Sequence, residues 1–226
     1  MSIEFYITDV ESLGLAVDIH EINQISVLRV SDQKQFTANI KVKHPERFSP
    51  QALEIQGITP SDLLVGIPIE ETVEGYENFL KEDGKTKAHR CMIAHNAPFD
   101  RKFIHRAWET VNRDLSADLW LCTMALAKRY VAKMGGDKLA QSQIKLGVEG
   151  IKKDKNGSFK PKFGLNNLLA GLELKSKNGA HQAEVDVQNT LVLFNWLMET
   201  KLEYVSLIER IPHKEIVVPQ LDVSDF

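Results

Sequence analysis

The chain has 226 residues, 43% of them hydrophobic, and a formal net charge of −3 at pH 7. This length supports one substantial core, so we expect a domain over residues 1–205 and a C-terminal tail over residues 206–226. The near-neutral charge excludes a strongly basic DNA-coating protein, but not an enzyme that contacts nucleic acid through a local basic patch.

The first part of the chain has the alternating pattern of β-strands. Three segments rich in β-branched and apolar residues predict an antiparallel meander: EFYITDV, NQISVLRVSD and QFTANIKVK. The stretch that follows, residues 44–63, is rich in proline and glycine and predicts a loop.

Helices and strands alternate in the rest of the chain. The pattern predicts, in order, the helix IEETVEGYENFLKED, the buried strand RCMIAHN, the helix PFDRKFIHRAWETV, the strand DLWLCT and the helix MALAKRYVAK. Residues 135–163 are polar and lysine-rich and predict a loop, and the helices GLNNLLAGL and QAEVDVQNTLVLFNWLMETK follow. A meander followed by alternating strands and helices predicts an α/β domain around a mixed sheet.

The cysteines and the N-terminus indicate a cellular compartment. Cys91 and Cys122 lie in apolar segments without the Cys/His spacing of a metal site, so we expect reduced thiols in a cytoplasmic protein. The start, MSIEFYIT, lacks the pattern of a signal peptide. No segment approaches the roughly 20 apolar residues of a membrane span, so we expect no membrane interaction.

Two carboxylates lie close together at the end of the first predicted strand. Asp9 and Glu11 are two residues apart, so a strand projects both side chains from one face. Such a like-charge pair is unfavourable unless a cation compensates it, and Mg²⁺ and Mn²⁺ prefer oxygen ligands. A simple solvated strand end is the alternative interpretation.

Two later segments add acids near the starts of predicted helices. IAHNAPFD places Asp100 after a buried strand, and NGAHQAEVD places His181 and Asp186 before and within the long C-terminal helix. The three motifs Asp-x-Glu, His-Asn-Ala-x-Phe-Asp and His-x-x-x-x-Asp resemble, in this order, those of the DEDDh exonuclease superfamily. That superfamily includes the proofreading epsilon subunit of bacterial DNA polymerase III. The resemblance covers about residues 4–200.

This resemblance implies a fold, a reaction and a cofactor. The fold is α/β and RNase H-like, with a five-stranded mixed sheet, helices on both faces and the acids at one edge. The reaction is 3′→5′ exonucleolytic release of nucleoside 5′-monophosphates from single-stranded ends, with DNA favoured. Trimming of RNA 3′ ends and a noncatalytic nucleic-acid-binding module are the alternatives. Two divalent cations, Mg²⁺ or Mn²⁺, would be held by four carboxylates: Asp9, Glu11, Asp100 and Asp186.

The resemblance also makes His181 the general base, and a histidine's ordinary pKa of about 6.5 suits that role. Five residues on a helix turn through about 500°, so His181 and Asp186 would face roughly 140° apart if both were helical. We therefore expect His181 on the loop before the helix, where Gly179 permits mobility. His95 in the second motif is the rival base, for which we favour a packing or hydrogen-bonding role.

Substrate contacts are expected after Glu11 and in the second motif. Related enzymes often continue Asp-x-Glu with Thr-Thr-Gly, from which this chain departs at Leu13. We expect Leu15 to pack on the terminal base, and Asn96 and Phe99 have structural roles as the alternative. The resemblance implies six substrate-binding residues: Ser12, Leu13, Gly14, Leu15, Asn96 and Phe99.

Two segments suggest partners beyond the 3′ end. The lysines of residues 152–162 could steer a phosphate backbone, with a solvated flexible loop as the alternative. The tail PQLDVSDF loosely resembles the short peptides with which bacterial replication proteins bind the sliding clamp. A replication partner, either a polymerase or the clamp, is the resulting hypothesis, and an ordinary tail is the alternative.

Overall fold

The structure, a computed structural model, describes residues 2–177 and 181–211. Its centre is a mixed sheet of six strands: β1 (Glu4–Ser12), β2 (Ile22–Arg29), β3 (Gln35–Asn39), β4 (Arg90–Ala94), β5 (Leu119–Cys122) and β6 (Glu209–Arg210). The spatial order is β3-β2-β1-β4-β5-β6. The first three strands form the predicted antiparallel meander, β4 and β5 run parallel to β1, and β6 is antiparallel to β5. The α/β class and the mixed sheet are confirmed, with the two-residue β6 added to the five predicted strands.

In the described part of the chain, seven α-helices pack around the sheet: α1 (Pro50–Gln56), α2 (Ile69–Lys81), α3 (Ala97–Glu109), α4 (Thr123–Met134), α5 (Gly136–Lys145), α6 (Leu165–Gly171) and α7 (Ala183–Glu199). Short 3₁₀ turns occupy Asp62–Leu64, Lys87–His89 and Val205–Leu207. Side chains of α2 and α3 pack with one face of the sheet, where Tyr6 and Val10 of β1 lie. Side chains of α7 pack with the opposite face, where Ile7 lies. Because side chains alternate along a strand, Asp9 and Glu11 share the face of Ile7 and point towards α7.

Two regions predicted as loops contain helices. α5 lies within residues 135–163 and buries Leu139, Ala140 and Gln143. These positions have helical spacing, but the two glycines at the start of the helix make the segment look like a loop. α1 lies within residues 44–63, with Pro50 in its first turn and Gly57 in the left-handed region (φ 67°) at its end. Here the proline begins a helix and the glycine ends it, so these residues do not indicate a loop.

The C-terminal part of the described chain completes the sheet. Glu209 and Arg210 of β6 pair with Trp120 and Leu119 of β5. The division at residue 205 stays a prediction, and most of the proposed tail, residues 212–226, lies outside the described residues, as does Gly179. Within the described ranges no helix is both long enough and apolar enough to cross a membrane.

Candidate active site

The fold places Asp100, the acid of the second motif, next to Asp9 and Glu11 of β1. Asn96 lies in the left-handed region (φ 83°), and this turns the chain sharply from β4 into α3. Asp100, in the first turn of α3, is therefore buried beside β1, where its Oδ1 accepts a hydrogen bond from the Val10 N–H (3.2 Å). The pairing of β1 with β2 shifts between Glu11 and Ser12, an irregularity of the kind that redirects side chains next to active sites.

The third motif reaches the same place from the opposite face. Glu11, His181 and Asp186 each offer one ligand atom, and these three atoms lie within 4.8 Å of one another. His181 precedes α7 with positive φ (64°), so it is outside the helix, as its spacing from Asp186 requires. Asp186 Oδ2 accepts the His181 N–H (3.2 Å). Its Oδ1 is buried and has no hydrogen-bond partner among the described residues, so it can ligate a cation.

Burial and mutual repulsion act on the whole acidic cluster, which we define as Asp9, Glu11, Asp100 and Asp186. Burial, then the charges of the other three acids, raises the pKa of Asp9 well above its ordinary value. Burial and the charges of Asp186 and Asp100 raise the pKa of Glu11 to about 8. Burial raises the pKa of Asp100 to about 7 and also raises that of Asp186. Four ionised carboxylates at neutral pH therefore need positive charge between them, and their oxygen donors fit divalent cations of the Mg²⁺ type.

These pKa values predict how the stability of the metal-free protein depends on pH. The folded protein keeps the Glu11 proton up to about pH 8, whereas an unfolded glutamate releases it near pH ~4.3. Between these values the native state binds more protons than the unfolded state, so the free energy of unfolding should decrease as the pH rises. Added Mg²⁺ should displace the protons, stabilise the protein at pH 8 and flatten the dependence.

Thermal unfolding in chelator between pH 5 and pH 8, with and without Mg²⁺, measures this effect. The substitution Glu11→Gln should weaken the pH dependence of the metal-free protein. A melting temperature that rises with pH in chelator would contradict the burial of these charges.

His95 is occupied by structural hydrogen bonds. Its Nε2 donates to the Phe163 carbonyl oxygen (2.7 Å), and its Nδ1 lies 3.0 Å from Thr123 Oγ1. Burial lowers the pKa of this imidazole, so the neutral ring connects the end of β4 to the start of α4. This geometry agrees with the hydrogen-bonding role favoured for His95.

The six expected substrate-binding residues divide into exposed and enclosed groups. Leu15 is 78% exposed, Asn96 is exposed and Phe99 is half-buried, so all three can contact a ligand. The Leu13 side chain is fully buried in a small core with Leu53 and Leu63, which removes it from the site surface. The other two shape the backbone: Ser12 Oγ donates to the Gly14 carbonyl (2.8 Å), and a Cβ on Gly14 would lie 2.6 Å from the His20 ring.

Lys102 lies at the candidate site although no sequence motif indicates it. Its Nζ donates to the Leu15 carbonyl oxygen (3.2 Å) and lies 5.1 Å from the centre of the Phe99 ring. It therefore places a positive charge between Leu15, which is expected to pack on the terminal base, and Phe99, which is expected to line the site. In the sequence, Lys102 stands out only as a lysine two residues after Asp100, and this position does not predict a contact with Leu15.

Gln24 is a second residue at the site that no sequence motif indicates. It lies on β2, and its side chain caps the N-terminus of α7. Gln24 Oε1 accepts the Ala183 N–H (2.7 Å), while the residue at the helix N-cap, Gln182, forms no side-chain cap hydrogen bond. Gln24 is paired with Glu11 across β1 and β2. It thus satisfies one free amide of the helix and fixes the backbone two residues from His181.

Replacing Gln24 by leucine should lower kcat about five- to tenfold with little change in KM, since a lost cap costs roughly 1 kcal/mol. In a His181→Ala background the Gln24→Leu change should have no further effect, because the two residues act together. Equal losses in both backgrounds would indicate only a general structural role.

Comparisons with known proteins agree on one class. A family model described as "Exonuclease" (RNase_T) matches residues 6–194. The DNA polymerase III PolC-type protein of Thermotoga petrophila is 30% identical over 148 residues, which are 64% of this chain and 10% of that protein. The corresponding protein of Staphylococcus saprophyticus is 26% identical over 147 residues, again 64% of this chain and 10% of the relative. The chain spans about a tenth of the length of these relatives.

Solved structures share the fold at low sequence identity. The zinc-bound E. coli exonuclease I–single-stranded DNA complex superposes with a TM-score of 0.64 at 17% identity, covering 89% of this chain and 41% of that chain. The nuclease domain of 3′hExo, a DEDDh family member bound to rAMP, superposes with a TM-score of 0.63 at 16% identity, covering 93% of this chain and 96% of that chain. The second match extends over nearly the whole of both chains.

Proposed function

The chain belongs to the exonuclease family, DEDDh type with an RNase H-like fold, and from that premise we propose that it is a 3′→5′ exonuclease. Exonucleases of this family depend on divalent cations. We propose two such ions, Mg²⁺ or Mn²⁺, and a reaction that releases nucleoside 5′-monophosphates from single-stranded 3′ ends.

The acidic cluster is the observation that carries this proposal. Asp9, Glu11, Asp100 and Asp186 come from three separate motifs, and burial raises the pKa of each. Divalent cations bound there would activate the attacking water and stabilise charge on the leaving 3′-oxygen. Asp9, Glu11, Asp100 and Asp186 would hold these cations.

His181 is suited to accept the proton of the attacking water. Its side chain is exposed, lies outside α7, and offers a ring nitrogen within 4.8 Å of carboxylate oxygens of Glu11 and Asp186. The backbone bond to Asp186 Oδ2 (3.2 Å) holds the residue at the site without using the imidazole. Leu15 and Phe99 would hold the terminal base.

Single-stranded DNA is the proposed substrate, and the similarity to exonuclease I–DNA complexes and PolC-type polymerases supports it. An exoribonuclease is the second candidate, favoured by the likeness to 3′hExo bound to rAMP. A noncatalytic module is disfavoured because all four acids and His181 are present.

We propose a replication protein as a binding partner. The PolC-type relatives support a replication polymerase as partner, while the clamp-binding hypothesis concerns Gln220 to Phe226, outside the described residues.

The lysines of residues 152–162 are expected to steer the substrate. One of them, Lys153, lies in irregular backbone after α5, with its Nζ 4.8 Å from the centre of the Phe159 ring. Charge reversal at three of these lysines should weaken the salt dependence of substrate binding if they contact phosphates.

Degradation of 5′-labelled single-stranded DNA and RNA oligonucleotides tests the proposed function. With Mg²⁺ or Mn²⁺ we expect ladders shortened from the 3′ end and nucleoside 5′-monophosphate as product, and with chelator we expect none. Internal cleavage products or unchanged digestion in chelator would contradict the proposal, and the DNA and RNA rates decide between the two substrates.

A further inference from the structure

A cavity of about 210 Å³ lies beside α3, away from the acidic cluster. Three segments distant in sequence line it, together with Ile69: residues 17–22, residues 40–47 and residues 103–110. We name it the α3 groove and propose that it binds the strand of nucleic acid upstream of the 3′ nucleotide. The inference rests on the proposed function and adds a second substrate-binding site to it.

The inner part of the α3 groove is apolar. Ile22, Ile40, Ile69 and Phe103 line the cavity and are each less than 9% exposed. The volume is below the roughly 300–1,000 Å³ of pockets that enclose whole drug-sized ligands. It is therefore suited to one flat ring at a time, and bases of any sequence offer such a face.

Basic side chains surround this apolar part. Lys43, Arg47 and Arg106 line the groove, and the side chain of each is about half exposed. Their acidic partners are exposed too: Glu70 at 2.7 Å, Glu46 at 3.5 Å and Glu109 at 3.6 Å. Exposed ion pairs of this kind contribute little and are screened by salt, so a phosphate can recruit these cations.

The lining of the α3 groove contains fewer acids than cations. Glu21 accepts hydrogen bonds from the backbone N–H groups of Lys43 (2.9 Å) and His44 (2.8 Å), which hold its carboxylate against the chain. Asp18 is the other acid in the lining, and His20 lines the groove as well. The lining thus contains three permanent cations, Lys43, Arg47 and Arg106, and two acids, Asp18 and Glu21.

The α3 groove lies next to the residues expected to contact the substrate, because the His20 ring in its lining is close to Gly14. Arg106 follows Lys102 by four residues, so both lie on one side of α3, and Arg106 is about 9 Å along the helix from Asp100. Lys102 contacts the exposed Leu15 by its hydrogen bond (3.2 Å). A strand that leaves the acids therefore passes Leu15 and Lys102 before it reaches Arg106.

The test compares a substrate that reaches the groove with one that cannot. The variant Arg47→Glu/Arg106→Glu should raise KM for a dT₁₂ oligonucleotide about tenfold and lower the salt dependence of binding. It should leave kcat/KM unchanged for the 4-nitrophenyl ester of thymidine 5′-monophosphate, which fills only the active site. Lys133→Glu/Lys145→Glu, on the exposed surfaces of α4 and α5, is the control with the same change in net charge.

Fluorescence anisotropy of 5′-labelled dT₃ and dT₁₂ on Asp9→Ala protein gives a readout without turnover. The groove variant should lose affinity for dT₁₂ and keep its affinity for dT₃. Unchanged dT₁₂ binding, equal losses for both oligonucleotides, or an equal effect of the control variant would each contradict the proposal that the α3 groove binds the upstream strand. If the parent protein hydrolyses neither ester nor oligonucleotide, the proposed function fails, while the anisotropy measurement still decides the groove.

Discussion

Asp9→Ala should abolish degradation of single-stranded oligonucleotides, with a loss in kcat on the order of 10³-fold or more, because a catalytic metal supplies several kcal/mol of transition-state stabilisation. Asp9 is the acid whose pKa is raised by all three others, so it is the central carboxylate of the cluster. Gel analysis of a 5′-labelled substrate with excess Mg²⁺ measures the effect.

The same substitution should not unfold the protein. Removing one carboxylate of the cluster relieves repulsion, so the metal-free variant should be at least as stable as the parent at pH 8 and should gain less from Mg²⁺. Glu184→Ala is the matched control, since Glu184 is an exposed acid two residues before Asp186 on α7. If Asp9→Ala digests DNA as fast as the parent, the assignment of the metal ligands is wrong.

His181→Ala should lower kcat by about 10²- to 10⁴-fold, the usual contribution of a general base. The exposed side chain can be removed without loss of packing, and the bond to Asp186 is made by the backbone N–H and survives the substitution. KM and the melting temperature should therefore stay close to those of the parent. Single-turnover rates with saturating enzyme separate this loss from weaker binding.

His89→Ala is the control for this experiment. His89 lies in the turn before β4, at the strand end opposite the acidic cluster, and its Nδ1 is hydrogen-bonded to the neighbouring Thr86 Oγ1 (2.8 Å). Its loss should leave kcat unchanged. Full activity of His181→Ala would move the base to another group and leave the metal site intact.

The acidic cluster could be predicted because its chemistry constrains the sequence. Two acids at strand spacing, an acid after a buried strand and a His–Asp pair before a long helix are each common, but few folds need all three in this order. Alternation along β1 then places Asp9 and Glu11 on the face of α7. Helical geometry likewise placed His181 before the helix.

Other features depend on contacts that no local pattern records. The burial of Leu13 depends on Leu53 and Leu63, about forty and fifty positions away. Helix α5 is polar on its outer side and begins at a glycine pair, so only its packing against α6 reveals it: a Cβ on Gly171 of α6 would lie 2.5 Å from Gln143. The α3 groove needs three segments that meet only in the folded chain.

The order of the four acids along the chain has a consequence for biosynthesis. β1 pairs with β4 in the middle of the sheet, and the last acid arrives only with α7, near the end of the described sequence. A nascent chain on the ribosome therefore cannot assemble the cation site until almost the whole domain has been translated. Such long-range closure should make folding slow, and incomplete translation products should lack nuclease activity towards the nucleic acids around them.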